Sequence, residues 1–393
     1  MIHAVIVFAA TLLLAVFLSE YAERSVLSTA VLFLAVGFLS GRGIVGFITF
    51  PTESPILVTI TELALFSVLF TDGMKMPLAT LRTVWRLPGR ALLFGMPLTS
   101  VGLALFAHYL VGLTWTEAFL VGAVLMPTDP VFASAIVGRR EIPSRLRNLL
   151  NVESGVNDGL ALPVVVVLLA VMGREELDVA SLVQEVIFGI ALGIGVAYGA
   201  TRLAEGRYLE PSAMYEPLHV FSIGLLIFGV AKWFGVNLYL AAFGAGVTVT
   251  TVGEQARLNF EGFGELVAEL FKLLAILLFG AVITKSFFRD LGLFDYLFAL
   301  LAVAVVRPVA VWLALLGSDL SSEEKLVAGW FGPKGFASVL YGLLVLKSGL
   351  AHAELLFHLI AIVVVGSMIA HSSTDVLIAQ QFQQQQEDSA PQQ

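Results

Sequence analysis

Two prolines flank an aspartate in the stretch Pro127-Thr128-Asp129-Pro130, near the middle of the apolar run 116–137. Proline lacks the N–H of a helical hydrogen bond and disfavours helical geometry in the residue before it. A spanning helix is therefore predicted to break at Thr128 and Asp129, the alternative being a simple kink. Unwound backbone at membrane depth persists only where protein or a water-filled cavity satisfies it, so a break with a carboxylate indicates an ion site.

A second interruption is predicted in the apolar run 326–346, at 332–335 (Gly-Pro-Lys-Gly). Its proline leaves the carbonyl of Gly329 without a helical donor, and the flanking glycines permit unwinding. Two crossed, broken helices bring positive and negative helix ends to the middle of the bilayer. We expect Asp129 on one break and Lys334 on the other to offset these partial charges.

Four polar residues follow the first break in the apolar run 149–172: Glu153, Ser154, Asn157 and Asp158. In a helix, Ser154 and Asp158 are four residues apart and share one face, while Glu153 and Asn157 form the neighbouring stripe. A carboxylate with hydroxyl and carbonyl oxygens nearby is an environment of hard oxygen ligands that suits an alkali cation. One face is predicted to bind an ion, and the other to make structural bonds.

Three cations lie within apolar spans: Lys272, Arg307 and Lys334. An unpaired buried guanidinium is too costly in free energy, so Arg307 is predicted to pair with a carboxylate, and Glu153 is the first choice. Arg307 would also oppose a divalent cation at this place. Glu62, in an earlier span, is a weaker candidate to approach the site.

The whole chain is strongly apolar, which limits the classes of protein that it can represent. It has 393 residues, of which 58% are hydrophobic and 13% charged, and its mean hydropathy is +0.92. A typical soluble domain has about 25% charged residues. Apolar runs of about 20 residues recur along the chain and are each long enough to span a membrane. The fold class is predicted to be all-α, a polytopic membrane protein with about 13 transmembrane helices.

Some partners and chemistries are excluded by what the sequence lacks. No basic cluster of the kind that follows a phosphate backbone appears, so nucleic acid is not an expected partner. The chain has no cysteine, which excludes disulfides and thiolate metal sites. No constellation of nucleophile, base and metal is visible, so neither an enzyme nor a cofactor is predicted.

The order of the spans predicts two inverted repeats. If the seventh span is a connector, each predicted break lies in the fifth span of a six-helix half, as in transporters with inverted repeats and discontinuous crossing helices. The predicted domains are a first repeat at 1–172, a connecting helix at 173–205 and a second repeat at 206–378. The Gln-rich end, 379–393, has too little apolar content to fold and is predicted to be a disordered cytoplasmic tail.

The distribution of basic residues predicts the orientation in the membrane. Loops after odd-numbered spans contain 13 lysines and arginines, against 6 in loops after even-numbered spans. Basic loops face the cytoplasm. The protein is therefore predicted to lie in the cell (inner) membrane with its N-terminus outside and its C-terminus inside.

These residues resemble the NhaP-type sodium/proton antiporters, relatives of the eukaryotic sodium/proton exchangers. The resemblance rests on five features: Pro127-Thr128-Asp129-Pro130, Glu153-Ser154 with Asn157-Asp158, Leu69-Phe70-Thr71-Asp72-Gly73, Leu240-Ala241-Ala242-Phe243, and Arg307. It extends over nearly the whole chain. It implies a thirteen-span homodimer, with a dimerisation domain and a moving six-helix core in the lipid bilayer.

The resemblance also implies roles for individual residues. Asp158 matches the essential carboxylate that binds cation or proton, with Asp129, Ser154 and the Thr128 carbonyl as ligands. Asn157 matches the position of a second aspartate in electrogenic relatives. The chain is thus similar to the branch with a single aspartate, which implies electroneutral exchange of one proton for one cation.

Glu153 and Arg307 match a structural ion pair of that family, whereas Lys334 stands where the family usually has arginine. The expected function is exchange of Na⁺, or Li⁺, for H⁺ by competition for Asp158, in the service of pH homeostasis. Three alternatives remain open: potassium/proton exchange, an electrogenic stoichiometry with Lys334 or Glu153 as a second titrating group, and a cation channel.

Overall fold

The computed structural model describes most of the chain, namely residues 2–22, 29–42, 44–48, 55–75, 85–129, 143–173, 179–204, 212, 214–284 and 287–389. The regular structure within these ranges is helical, which confirms the predicted all-α class.

Fourteen helices carry labels here: α1 (Ile2–Ala22), α2 (Thr29–Ser40), α3 (Pro55–Met74), α4 (Arg86–Val111), α5 (Trp115–Leu125), α6 (Ser144–Gly173), α7 (Val179–Ala204), α8 (Glu216–Phe234), α9 (Leu238–Val252), α10 (Glu254–Val282), α11 (Leu293–Ala314), α12 (Ser322–Trp330), α13 (Phe336–Lys347) and α14 (Ala353–Ser389). Among the described residues, 6 helical stretches are long and apolar enough to cross a membrane, in α4, α6, α7, α8, α11 and α14. Shorter apolar helices accompany them, so the protein is a multi-pass membrane protein. The count of 13 spans stays a prediction.

The chain forms two compact units, neither of which is continuous in sequence. The first comprises Met1–Ser54, Arg86–Asn157 and Ile276–Gln393, and the second comprises Pro55–Trp85 and Asp158–Ala275. The division into repeats at 1–172 and 206–378, joined by 173–205, stays a prediction.

Glycine allows close packing of helices in the second unit. A Cβ atom on Gly246 of α9 would overlap the main-chain carbonyl of Phe70 on α3, and one on Gly193 of α7 would overlap the carbonyl of Ala241. Small residues at such crossings let helix backbones approach and pack in membranes. The middle of the second unit is therefore built on α9, which contacts α3 on one side and α7 on another.

A proline distorts α11 next to the buried arginine. Residues Ala302–Val306 form a π turn that leads directly into Arg307 and Pro308. Pro308 has no N–H for the carbonyl of Ala304, so the helical hydrogen-bond ladder shifts at this point. The distortion is local, and α11 continues to Ala314.

The structure differs from the sequence prediction at the C-terminal end. The tail 379–393 is predicted to be disordered, whereas α14 continues through Ser389. Glutamine and alanine have good helix propensity, and a helix already nucleated by an apolar span extends without a new nucleation cost. Residues 390–393 lie outside the described part of the chain.

Candidate functional site

The first interruption begins where α5 ends. The helix ends at Leu125, a few residues before Thr128, and 127–129 has no regular structure. Ser338 Oγ on α13 donates to the carbonyl of Val124 at 2.8 Å, so a neighbouring helix satisfies an acceptor that the ending helix leaves open. The rest of the predicted break and span, 130–137, lies outside the described residues.

The second interruption is present where the sequence predicts it. Helix α12 ends at Trp330 and α13 begins at Phe336, with 331–335 unwound between them. The carbonyl of Gly329, which the proline was expected to leave without a donor, accepts a hydrogen bond from Arg307 Nη1 at 2.6 Å. Backbone polar groups at this break are thus satisfied by side chains from other helices, as membrane depth demands.

The two interruptions bond to each other through Asp129. Its main-chain N–H donates to the carbonyl of Pro333 at 3.0 Å, and its Oδ2 accepts from the N–H of Phe336 at 3.1 Å. Gly335 makes room for this contact, since a Cβ atom there would overlap the Asp129 side chain. The carboxylate therefore lies at the positive end of α13, where negative charge is stabilised.

Helix α6 supplies the other side of the first break. Asn157 Nδ2 donates to Thr128 Oγ1 at 2.7 Å and to the Thr128 carbonyl at 3.2 Å. The hydroxyls of Thr128 and Ser154 are 3.4 Å apart. All three side chains are buried. Two of the predicted ligands, Thr128 and Ser154, thus lie together, and the Thr128 carbonyl keeps a second lone pair beyond its bond to Asn157.

Asp158 follows on the same continuous helix. It lies four residues after Ser154 and therefore on the same face of α6. Its side chain is buried, 7% exposed. Asp158 belongs to the second compact unit.

The predicted ion pair of Arg307 is present. Arg307 Nη2 lies 2.7 Å from Glu153 Oε1, and the two residues are 3% and 4% exposed. Arg307 Nη1 also donates to the carbonyls of Ala328 and Gly329, at 2.8 and 2.6 Å. A Cβ atom on Gly332 would overlap the guanidinium. The arginine thus links α6, the end of α12 and the unwound segment.

Lys334 and Glu62 are placed differently. Lys334 lies in the unwound segment and is fully buried, and its Nζ has no hydrogen-bond partner among the described residues. Glu62 on α3 belongs to the second unit, where its carboxylate binds Lys232 of α8 at 2.8 Å. Lys272, the remaining cation within a span, lies 3.5 Å from Glu269 on its own helix.

Sequence reasoning did not single out the polar residues of α14. Ser367, His371 and Thr374 contact the unwound segment or the end of α12. A signal was available, because the three are polar, are spaced at i, i+4 and i+7 and so form one stripe on the helix.

Solved structures share this fold. The sodium proton antiporter MjNhaP1 from Methanocaldococcus jannaschii at pH 8 matches with a TM-score of 0.77 and 19% identity, covering 96% of this chain and 98% of that one. An electron-microscopy map of the same antiporter gives a TM-score of 0.74 and 18% identity, over 97% and 98% of the two chains.

Curated relatives are antiporters that are named for different cations. K(+)/H(+) antiporter NhaP2 of Shewanella sp. (strain MR-4) is 28% identical over 377 residues, which are 91% of this chain and 63% of that protein. Na(+)/H(+) antiporter 2 of Zygosaccharomyces rouxii is 31% identical over 260 residues, 60% of this chain and 32% of that protein. The chain thus spans less than two thirds of the length of these relatives.

The family match extends over nearly the whole chain. The family described as "Sodium/hydrogen exchanger, transmembrane" matches residues 8–379. These residues include both interruptions, helix α6 and the Arg307–Glu153 pair. The chain therefore belongs to the transmembrane sodium/hydrogen exchanger family.

Proposed function

We propose that the protein exchanges a monovalent cation for protons across the membrane. The observation that carries the proposal is the direct bonding of two interrupted helices through Asp129, which binds the Pro333 carbonyl and the Phe336 amide. Unwound backbone and a buried carboxylate in the same place are the elements from which transporters build ion sites in the bilayer. A protein without transport would not need a carboxylate buried there.

In this proposal, Asp158 carries a cation and a proton in turn. Asp129, Ser154 and the Thr128 carbonyl would complete the oxygen shell of the cation. The contact between Thr128 and Ser154 supports this assignment, as does the place of Asp158 on the face of α6 that carries Ser154. An empty anionic site is costly to move through a medium of low dielectric constant, so only the site loaded with either ion would change sides.

Other residues would support the site without carrying the ion. Asn157 holds Thr128, and the Arg307–Glu153 pair holds the break between α12 and α13. Lys334 would offset the negative helix end at its break. Since Asn157 replaces a second carboxylate beside Asp158, we propose one proton for one cation. Glu62 would act at most indirectly, because Lys232 holds its carboxylate.

Sodium, with lithium as a substitute, is the first proposed cation. The second candidate is potassium, which is favoured by the K(+)/H(+) antiporters of Shewanella that match 91% of this chain. Both are hard monovalent cations that prefer oxygen ligands.

The chemistry would be binding and release without a covalent step, so the protein is proposed to be a transporter and not an enzyme, with no cofactor.

We further propose that the protein is a homodimer in the inner membrane, with its N-terminus outside and its C-terminus in the cytoplasm. The excess of basic residues in the loops after odd-numbered spans supports this orientation. Surface labelling of single introduced cysteines would test the orientation directly, because these 393 residues contain no cysteine.

Purified protein in proteoliposomes would test the function. Imposed gradients of Na⁺, Li⁺ and K⁺ should each be compared for proton movement across a pH series. Asp158→Asn should abolish exchange, whereas Asp295→Asn should not, because Asp295 accepts the main-chain N–H of Gly292 in the first turn of α11 and an asparagine oxygen can accept the same bond. Exchange by Asp158→Asn at the rate of Asp295→Asn would refute the assignment. A one-for-one exchanger should also show the same rate at every membrane potential.

A further inference from the structure

The unwound segment 331–335 is held by a helix to which neither the sequence nor the proposed mechanism gives a role. Ser367 Oγ of α14 accepts the N–H of Lys334 at 2.7 Å. His371 Nε2 lies 2.9 Å from the carbonyl of Trp330, the last residue of α12. In the tautomer that is protonated at Nε2, His371 donates to this carbonyl, and Nδ1 accepts from the Ser367 hydroxyl. The same helix thus binds the backbone on both sides of Pro333.

The two polar side chains are also fixed to each other. His371 Nδ1 lies 3.1 Å from the hydroxyl of Ser367 and 2.7 Å from its carbonyl. Both residues are buried. One turn further along α14, Thr374 Oγ1 accepts the indole N–H of Trp330 at 3.0 Å. Ser367 therefore binds the segment at the Lys334 amide, while His371 and Thr374 lie against the carbonyl and the indole of Trp330, where the segment begins.

We propose that the α14 stripe, defined as Ser367, His371 and Thr374, is a set of positioning residues that fixes where the break presents its ligand-holding groups. The same short segment supplies the Pro333 carbonyl and leads into the Phe336 amide, and both bind Asp129. A shift of the segment would move the Asp129 carboxylate. The stripe would thus set cation affinity without touching the cation, and this consequence rests on the proposed function.

Loss of one stripe residue leaves a buried backbone group without a partner. Ser367→Ala removes the acceptor of the Lys334 amide, and His371→Leu removes the ring nitrogen that lies beside the Trp330 carbonyl. His371→Gln keeps an amide donor of similar reach, so it should restore part of what His371→Leu loses. Two matched controls lie on the same helix: Ser373→Ala, whose hydroxyl donates to the carbonyl of Ile369 in the preceding turn, and His358→Gln, whose ring packs against Phe287.

Two measurements together test the proposal. Hydrogen exchange of the amides of Gly332, Lys334, Gly335 and Phe336 should accelerate about tenfold in Ser367→Ala and His371→Leu, which corresponds to one lost buried hydrogen bond. The apparent KM for the cation should rise by a similar factor, and the maximal rate should change less. His371→Gln should lie between His371→Leu and the wild type, and the two controls should match the wild type in both measurements.

The outcomes separate this inference from the proposed function. If the wild type moves no protons in response to any cation, the proposed function fails, while hydrogen exchange still decides whether the stripe holds the segment. If hydrogen exchange in the segment is as slow in Ser367→Ala and His371→Leu as in the controls Ser373→Ala and His358→Gln, the inference is overturned. Should those variants not fold, Thr374→Val removes one hydroxyl at nearly constant volume. Hydrogen exchange of the amides in 330–336 at the wild-type rate in that variant would equally overturn the inference.

Discussion

Asp129 Oδ2 accepts a 3.1 Å hydrogen bond from the main-chain N–H of Phe336, although 207 positions separate the two residues in sequence. The first N–H groups of a helix have no acceptor within the helix, so a carboxylate at this place both caps α13 and interacts favourably with its dipole. The return bond from the Asp129 N–H to Pro333 makes the contact reciprocal. Each interruption thus completes the hydrogen bonding of the other.

Asp129→Asn should weaken both stability and cation binding. The variant keeps an acceptor but loses the negative charge, which at a buried helix N-terminus is worth up to ~2 kcal/mol. We expect a lower thermal unfolding temperature in detergent and a higher KM for the transported cation. The matched control is Glu354→Gln, which removes an exposed charge from the first turn of α14 and should change neither quantity appreciably. A KM for Asp129→Asn equal to that of the control would contradict the assignment of Asp129 as a ligand.

Gly335→Ala should disrupt the same contact by volume alone. The added Cβ atom would overlap the Asp129 side chain, so either the carboxylate or the unwound segment must move. Overpacking of this kind costs about 1–3 kcal/mol. Gly366→Ala, within α14, meets nothing within 4 Å and should instead stabilise by about 0.5–1 kcal/mol, as alanine does in helix interiors. Denaturant titrations that gave both variants the same change in unfolding free energy would refute the contact.

Local physics made the second interruption and the Arg307 ion pair predictable from sequence. Pro333 cannot donate to Gly329 in any fold, and a buried guanidinium must find an anion in any fold. Glu153 is the predicted partner of Arg307 because it lies beside, and not on, the helix face that carries Ser154 and Asp158. The structure adds that Arg307 also serves the very carbonyl that the proline leaves open.

Features that depend on how distant helices cross could not be read from the sequence. The spacing along α3 does not show that Glu62 binds Lys232, because the partner lies on α8. The contacts of the α14 stripe could not be predicted from the sequence for a similar reason. Serine in a membrane helix commonly bonds the preceding turn, as Ser373 does, and only the tertiary structure distinguishes Ser367 from it.

Lys334→Met should separate stability from transport. The Lys334 Nζ is buried without a hydrogen-bond partner among the described residues, and a methionine of similar length removes that polar atom while it fills the space. We expect an unfolding temperature equal to or above that of the wild type, because an apolar replacement relieves an unsatisfied buried group. If Lys334 also offsets charge at the break, the transport rate should fall in the same variant. A variant that unfolds well below the wild type would show that the ammonium group is bound in the folded protein.

Arg307 and Glu153 should show strong but incomplete coupling in a double-mutant cycle. Removal of one partner of a buried pair costs about 3–5 kcal/mol, because the other charge stays buried and unpaired. Arg307→Met and Glu153→Leu should each have this effect on the free energy of unfolding. The double variant should recover much of the loss, but not all of it, since the carbonyls of Ala328 and Gly329 would still lack their donor.

Arg307→Lys is a further variant that tests the same ion pair. A single ammonium has no planar fork with which to reach Glu153 and both carbonyls at once, so its stability should lie between the wild type and Arg307→Met. Effects that simply add, within about 0.5 kcal/mol, would mean that the two side chains do not form the pair in the membrane. Full recovery in the double variant would mean that the carbonyls find other donors, and that the arginine does not hold the break.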